Sequence, residues 1–492
     1  MKKILDKVLS PQLFAICYLP WLAINMASVI NILSFTRIIL AMFAAWAVAV
    51  CVKQFVFSGK KPWTDKFIAI LMFFLGACLI SQVVQFEYGG FDMIGKLMYF
   101  AICLLVLYSQ YQSDSAGYIK LFGIVSRVLG VVIGLMMLVS DWMFVTIYSG
   151  TLVGRSGATV KVGFCENRLY GIFTSPNVGG LFALILIWCS FFILIKAKSM
   201  WCPLLWRIFA CIQIFAGVMY ISVGLSRGTY VSGIAMIVTY LIIKTPHMKE
   251  RVLSAWKQIA IRILCVAVTI VLCVGIVKAV NWSACKVMVW NYENHLSSSE
   301  LTEEEKAEQE AIIENALKGS EGRVESNRED IDITNKRASI WTSHLKLLKG
   351  KHLIIGVNHP HKYLEKNLAQ GMDFTDEQLR FIRYAGGNLH NGYIQILTNG
   401  GILAFLPMLA FLGICVVKAL QYLFKARFSK KLSVDTDSYL VFSVTLPMVI
   451  AVLVDNVFET NFVLMGANFI QAFFWFVAGA CVMSMIEGVK NK

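Results

Sequence analysis

Apolar stretches of about 20 residues recur along the whole chain, and each can cross the roughly 30 Å hydrocarbon core of a bilayer as one helix. The segment 176–195, for example, reads PNVGGLFALILIWCSFFILI. Of the 492 residues, 58% are hydrophobic and only 15% are charged, whereas about a quarter of the residues in soluble domains are charged. A membrane β-barrel would instead show alternating segments of about ten residues. The sequence therefore predicts an all-α, polytopic membrane protein.

The hydropathy pattern predicts twelve membrane-spanning helices. The chain begins with the basic residues MKK, followed by an apolar run too long for a signal peptide, so we expect this run to be retained as the first helix. The predicted spans lie at 12–33, 36–57, 67–85, 94–112, 119–145, 176–195, 207–225, 228–244, 263–281, 397–417, 438–455 and 464–485.

The basic residues of the connecting segments predict the orientation. Segments such as SGKKPWTDK and KALQYLFKARFSKK alternate with less basic ones, and basic loops face the cytoplasm, so both termini are expected there. The net charge of +15 is then explained by basic cytoplasmic loops that face anionic lipid head groups, rather than by nucleic-acid binding. We expect nine helices with short loops in 1–281, a large and mainly helical extracytoplasmic loop in 282–396, and three helices with a cytoplasmic C-terminus in 397–492. A shorter external loop is expected at 146–175.

His390 and Asn391 lie where the large loop is predicted to re-enter the membrane. At this water–lipid boundary a lipid-linked substrate would present its polar head. A histidine there can accept or donate a proton near neutral pH, and the neighbouring amide can position a hydroxyl or close the loop. The alternative is an interfacial histidine that only caps the helix.

Arg168 and Arg227 stand on short segments that are predicted to be external, and Arg337 lies inside the large external loop. The positive-inside rule predicts few positive charges on short external segments. Guanidinium groups at such positions are candidates for binding an anion. Pairing with loop carboxylates is the alternative.

Other residues have less specific candidate roles. Asn177 could cap a helix or bind a substrate hydroxyl, and Gly401 could allow a turn or a close approach rather than plain helix packing. Asp455, near the outer end of a span, could orient a base or pair with an arginine. Cys165 and Cys285 could pair in an oxidising space, which the sequence leaves open. No Cys and His spacing is typical of zinc, and no metal or cofactor is expected.

The stretch HNGYIQILTNGG resembles the signature of the O-antigen ligase and O-antigen polymerase superfamily of bacterial envelope enzymes. That signature is a histidine followed by Asn, Ser or Gln, nine further residues and a glycine, which correspond here to His390, Asn391 and Gly401. Other motifs resemble the family's Arg-x-x-Gly-x-Phe…Pro-Asn, Ser-Arg-Gly and Arg-x-x-x-Trp elements in the same order: RLYGIFTSPN at 168–177, SRG at 226–228 and RASIW at 337–341.

The resemblance implies transfer of a glycan from an undecaprenyl-diphosphate carrier to an acceptor hydroxyl of a glycan or lipid, outside the cytoplasmic membrane and without a metal. Arg168, Arg227 and Arg337 would bind the diphosphate, and His390 would orient or deprotonate the acceptor with help from Asn391. Other polysaccharide export proteins are further candidate partners.

Two departures concern the acceptor side. The chain reads GVNHP at 356–360, where the family commonly has Gly-Val-Gly, and it carries an unusual acidic insert at 293–332. Polymerase and ligase activities share these motifs, so both stay open. A transporter or flippase of lipid-linked oligosaccharides is the other class, although transporters tend to place ionisable residues near the bilayer midplane.

Overall fold

The part of the chain that the structure, a computed structural model, describes is almost entirely helical. It comprises residues 2–33, 35–57, 66–108, 115–153, 159–165, 168–244, 255–296, 307, 310–311, 313–314, 333–367, 374–385, 388–428 and 436–490. The first eleven helices are α1 (Lys2–Val8), α2 (Pro11–Asn25), α3 (Ser28–Asn31), α4 (Phe35–Val52), α5 (Lys66–Val84), α6 (Phe86–Ile102), α7 (Ser115–Val145), α8 (Pro176–Lys196), α9 (Pro203–Gly224), α10 (Arg227–Lys244) and α11 (Ala255–Leu296). The rest are α12 (Ile333–Leu345), α13 (Lys351–Ile355), α14 (Pro360–Asn367), α15 (Asp376–Ala385), α16 (Gly392–Phe428), α17 (Thr436–Asp455) and α18 (Phe469–Lys490). Short π-helical turns, Lys53–Phe57 and Cys103–Leu107, extend α4 and α6, and a 3₁₀ turn, Ala197–Ser199, extends α8.

The helical membrane class predicted from the sequence is confirmed. Nine helices in the described ranges are long and apolar enough to cross a bilayer: Phe35–Phe57, Lys66–Val84, Ala116–Val145, Pro176–Ser199, Pro203–Gly224, Ile263–Asn294, Gly392–Phe424, Asp437–Asp455 and Phe469–Ile486. The other three predicted spans fall on α2, on the shorter apolar helix Met93–Leu107 and on α10. Helix α11 continues to Leu296, well beyond the predicted end of its span at 281. Most of the acidic insert lies outside the described residues.

A small antiparallel sheet occupies the segment that was expected to be a plain external loop. Its strands are β1 (Ser149–Val153), β2 (Thr159–Cys165) and β3 (Arg168–Gly171), in the order β1-β2-β3. Threonine and valine in β1 and β2 suit a pleated surface. An irregularity between Gly163 and Phe164 interrupts the β2–β3 register, and Gly163 has a φ of 85°, which favours glycine. The sheet pairs Arg168 with Cys165 and thereby fixes the start of β3.

The chain divides into two compact units. The first contains Met1–Ala15, Leu40–Ile119 and Arg328–Lys492, and the second contains Ile16–Ile39 and Lys120–Asn327. Sequence proximity therefore does not determine the unit to which a segment belongs.

An aromatic cluster around Trp475 of α18 lies in the core of the first unit. Its ring centroid lies 5.5 Å from that of Phe100 and 5.8 Å from those of Tyr108 and Phe411. The indole N–H donates to the Phe462 carbonyl oxygen at 2.8 Å. This bond satisfies the polar atom of a fully buried side chain, and it anchors the segment between α17 and α18.

In the core of the second unit, β3 and the turn after it pack against α8 and α9. The ring of Phe173 lies 5.1 Å from Phe182 and 5.5 Å from Tyr220, centroid to centroid. The Tyr220 hydroxyl lies 3.0 Å from the Tyr170 carbonyl oxygen. Because the side chains of Phe173 and Tyr220 are fully buried, these contacts give Arg168 and the start of α8 a rigid support.

Candidate functional site

Each unit holds one group of side chains that contains predicted site residues. We call His390, Glu459 and Arg337 of the first unit the histidine centre. We call Arg168, Asn177, Ser226 and Arg227 of the second unit the arginine centre.

His390 occupies a strained turn immediately before α16. Its backbone φ is 48°, in the left-handed region that residues other than glycine seldom adopt. Its N–H donates to Asn388 Oδ1 at 3.0 Å, which stabilises the turn. Backbone strain of this kind is often kept where a side chain must be presented in one direction. The His390 side chain keeps 31% of its surface exposed, so the ring can be reached from outside.

Asn391 caps α16. Its Oδ1 accepts hydrogen bonds from the N–H groups of Tyr393 and Ile394, both at 3.0 Å. Its Nδ2 donates to the Val457 carbonyl oxygen at 3.1 Å. The residue is only 6% exposed. The sequence left open whether Asn391 closes the loop or binds a substrate hydroxyl. These contacts correspond to closing the loop.

A carboxylate connects His390 to Arg337. His390 Nδ1 lies 2.9 Å from Glu459 Oε2, and Arg337 Nη2 donates to Glu459 Oε1 at 3.2 Å. Arg337 Nη1 also donates to the Phe458 carbonyl oxygen at 2.7 Å. The Glu459 side chain is 12% exposed and that of Arg337 is 16% exposed. The three side chains therefore form a largely desolvated chain of charge-assisted hydrogen bonds.

The Arg-x-x-x-Trp spacing has a physical explanation in α12. Residues four apart lie on the same face of a helix, and Arg337 and Trp341 use that face to support the histidine turn. Trp341 Nε1 donates to the Leu389 carbonyl oxygen at 2.8 Å. The arginine thus holds Glu459 while the tryptophan holds the backbone next to His390.

The acid in contact with His390 is Glu459 and not Asp455. Asp455 Oδ2 accepts a hydrogen bond from Asn461 Nδ2 at 2.8 Å, and the Asp455 carbonyl oxygen accepts from the Glu459 N–H at 2.8 Å. Asp455 therefore shapes the turn that carries Glu459. Sequence reasoning missed Glu459, although the stretch DNVFET between two apolar helices contains this second acid.

Gly401 marks a break within α16. Its φ is 63°, and a Cβ at this position would overlap the Ile354 carbonyl oxygen. The neighbouring segment is fixed there because the Val357 N–H donates to the Thr398 carbonyl oxygen at 2.5 Å and the Asn358 N–H donates to Gln85 Oε1 at 3.1 Å. Gly401 therefore permits the backbone of α16 to approach the backbone at Ile354 closely. Its contribution to the site is indirect, through the position of α16.

Arg168 connects the ends of two helices in the arginine centre. Its Nε donates to the Gly224 carbonyl oxygen at 3.2 Å, at the C-terminus of α9, where a cation is favourable. Its Nη2 donates to Asn177 Oδ1 at 3.3 Å, in the first turn of α8. Arg168 as a whole is partly exposed.

The first turns of α8 and α10 lie side by side. The Ser226 hydroxyl donates to Asn177 Oδ1 at 2.9 Å. Ser175, rather than Asn177, caps α8 by accepting from the Val178 N–H at 3.2 Å. Close contact continues along the helices, because a Cβ on Gly180 would overlap Thr229 Oγ1. Two helix N-termini, each with a positive partial charge, are thus adjacent.

Arg227 begins α10 and is exposed. Within the described ranges its side chain makes no hydrogen bond or ion pair. An exposed arginine at one of two adjacent helix N-termini makes a surface that favours anions with several oxygen atoms.

The remaining predictions have plain structural outcomes. Cys165 and Cys285, both described, are not joined by a disulfide: Cys165 Sγ lies 3.4 Å from the Val162 carbonyl oxygen, and Cys285 Sγ lies 3.3 Å from Asn281 Oδ1. Over the residues that the structure describes, no three His, Cys, Asp or Glu side chains are grouped as metal ligands.

In comparisons with known proteins, no family model matches the chain and no curated protein is similar to it in sequence.

Proposed function

We propose that the protein transfers a glycan from an undecaprenyl-diphosphate carrier to an acceptor hydroxyl on the extracytoplasmic side of a membrane. The observation that carries this proposal is an imidazole, His390, held by a carboxylate at the start of a membrane-spanning helix. The cationic character of the arginine centre and the order of the four sequence motifs support the same function.

In this reaction the arginine centre binds the diphosphate. Cleavage of the bond between the anomeric carbon and the phosphate oxygen leaves its electron pair on the diphosphate. Guanidinium groups and helix N-termini that are already in place stabilise the growing negative charge without reorganisation. Arg168 and Arg227 supply the two guanidinium groups, and Asn177 holds Arg168 in its orientation.

His390 acts as the general base. Its imidazole takes the proton of the acceptor hydroxyl as that oxygen attacks the anomeric carbon from the side opposite the diphosphate, which inverts the configuration. One glycosidic bond forms and one glycosyl–phosphate bond breaks, so no oxidant or nucleotide is consumed. Proton transfer of this kind contributes roughly 10²- to 10⁴-fold to a rate.

The finer topology belongs to the same proposal. Twelve spans, cytoplasmic termini and an extracytoplasmic segment over 282–396 would put both centres outside the cytoplasm. Single cysteines introduced at exposed positions of a cysteine-free variant, for example at Arg383 of α15, should react with an impermeant thiol reagent in intact cells. Labelling only after membrane disruption would reverse the orientation.

Incubation of the purified protein with a carrier-linked oligosaccharide tests the function. A ladder of products indicates a polymerase, a single shifted acceptor indicates a ligase, and movement of the carrier-linked glycan between the leaflets of a vesicle without a covalent product replaces this proposal with transport. His390→Gln should abolish the covalent product, whereas His361→Gln, a control in the preceding segment, should retain it. Activity is expected to persist in a chelator; a loss restored by added divalent ions would refute the metal-free scheme.

A further inference from the structure

The motif resemblance gives Arg337 the role of a diphosphate ligand, but its contacts point to a different one. Its guanidinium is bonded both to the Glu459 carboxylate and to the Phe458 carbonyl oxygen. Its side chain is 16% exposed, whereas Arg227 is an exposed residue. A phosphate would have to displace the carboxylate from a largely desolvated pair, which is costly.

We infer that Arg337 and Glu459 are positioning residues that fix the tautomer and the orientation of the His390 ring. This inference rests on the proposed function, in which His390 is the base. Arg168 and Arg227 then remain as the diphosphate ligands of the proposed reaction.

Proton accounting supports this assignment. An ionised carboxylate has only acceptor sites, and a carboxylate bonded to a guanidinium is kept in its ionised form. Glu459 Oε2, 2.9 Å from His390 Nδ1, must therefore accept a hydrogen bond from an Nδ1–H group. In the neutral ring the lone pair then resides on Nε2. A general base needs a lone pair directed away from its support, and this hydrogen bond provides one.

Glu459 can hold the ring because its own position is fixed from several sides. Arg337 engages Oε1, while Oε2 faces the imidazole. Its backbone carbonyl oxygen accepts from the Gly392 N–H at 3.0 Å, and its own N–H donates to the Asp455 carbonyl oxygen. The carboxylate is thus fixed to α17 and to the first residue of the helix that follows His390.

Removal of either positioning residue should change the chemical step more than substrate binding. We expect Glu459→Gln and Arg337→Gln to lower kcat by about 10- to 100-fold, less than loss of a general base itself would, with a change of less than about threefold in the KM for the carrier-linked donor. Arg168→Gln should instead raise that KM. Glu459→Asp keeps the charge but shortens the side chain, so it should recover only part of kcat.

Matched controls separate these effects from general damage. Glu87 is also an ion-paired glutamate, bonded to Lys366 at 2.5 Å, but it is exposed. Arg383 is an exposed arginine on α15. Glu87→Gln and Arg383→Gln should leave both kinetic parameters unchanged.

The tautomer can be measured without any activity. In protein labelled with ¹⁵N-histidine, the seven histidines give separate ring signals, and His390→Gln identifies the signal of His390. We expect the proton on Nδ1 in the parent protein and a shift toward Nε2 in Glu459→Leu. An unchanged tautomer in Glu459→Leu, or an Arg337→Gln variant that raises donor KM as Arg168→Gln does, would overturn the inference. Absence of glycan transfer by the parent protein would refute the proposed function alone.

Discussion

The Ser226 hydroxyl donates a hydrogen bond to Asn177 Oδ1 at 2.9 Å and so joins the starts of two helices, although the two residues are 49 positions apart in sequence. The same oxygen accepts from Arg168 Nη2. One amide oxygen therefore sets both the spacing of two helix N-termini and the direction of a guanidinium. Substitutions that change this oxygen should therefore alter anion binding more than they alter the stability of the fold.

Asn177→Asp should weaken binding of the carrier-linked donor. The new carboxylate would pair with Arg168 and neutralise the cation that the diphosphate needs. We expect donor KM to rise about tenfold, which corresponds to about 1.4 kcal/mol, while the thermal midpoint in detergent stays within a few degrees. Asn294→Asp, at an exposed position in the same unit, is the control. An unchanged KM in Asn177→Asp would remove the arginine centre from donor binding.

Arg227→Lys should be nearly as damaging as Arg227→Gln. Lysine keeps the charge but loses the planar group that makes two parallel hydrogen bonds to a phosphate. Because Arg227 is exposed, neither variant should change the thermal midpoint. Steady-state kinetics with a diphosphate-linked donor would test this, and full activity of the lysine variant would show that only charge matters.

Gly401→Ala should destabilise the first unit strongly. With φ at 63° and ψ at −167°, Gly401 lies in a backbone region essentially restricted to glycine, where another residue costs on the order of 1–3 kcal/mol. Overlap with the Ile354 carbonyl oxygen adds to that cost. Gly413→Ala in the same helix is the matched control, since nothing lies within 4 Å of its added Cβ. Alanine there should be neutral or stabilising by up to about 1 kcal/mol. Thermal unfolding in detergent would compare them, and equal midpoints would contradict the close approach at Gly401.

Acid should destabilise the first unit through His344. Burial lowers the pKa of His344 from 6.5 to about 4, the nearby His361 lowers it further, and the bond from Nδ1 to the Ile340 carbonyl oxygen raises it. Between these two values the unfolded chain binds a proton that the folded chain excludes. Stability is therefore full above pH 6.5 and falls as the pH drops toward 4, by on the order of 3 kcal/mol.

Thermal midpoints between pH 4.5 and 7.5 would measure this effect. His344→Gln should flatten the pH dependence in this range. His361→Gln, which keeps the imidazole of His344, should retain most of it. An equally steep loss of stability in His344→Gln would show that other groups carry the acid sensitivity.

The membrane class could be predicted because the length of an apolar stretch is tied directly to bilayer thickness. The spans at 12–33, 94–112 and 228–244 illustrate the limit, since the helices found there fall short in length or apolar composition. The sheet at Ser149–Gly171 was not predicted. Its strands are short, and their pairing depends on register and on packing against α9, which local patterns do not encode.

The site was only partly predictable. His390 and the arginines were identified because charged groups beside apolar helices are costly and need a reason. Glu459 was missed because its contacts with His390 and Arg337 join positions 69 and 122 residues away. Asp455, the acid named from the sequence, lies four residues before Glu459. Which of the two carboxylates faces the His390 ring depends on the folded conformation of the segment after α17.

Glu459 lies on the segment between α17 and α18, which the ribosome makes after every other residue of the histidine centre. A nascent chain that has already inserted His390 and Arg337 therefore still lacks the carboxylate that would order the imidazole. The histidine centre is therefore complete only after the segment that follows α17 has been synthesised.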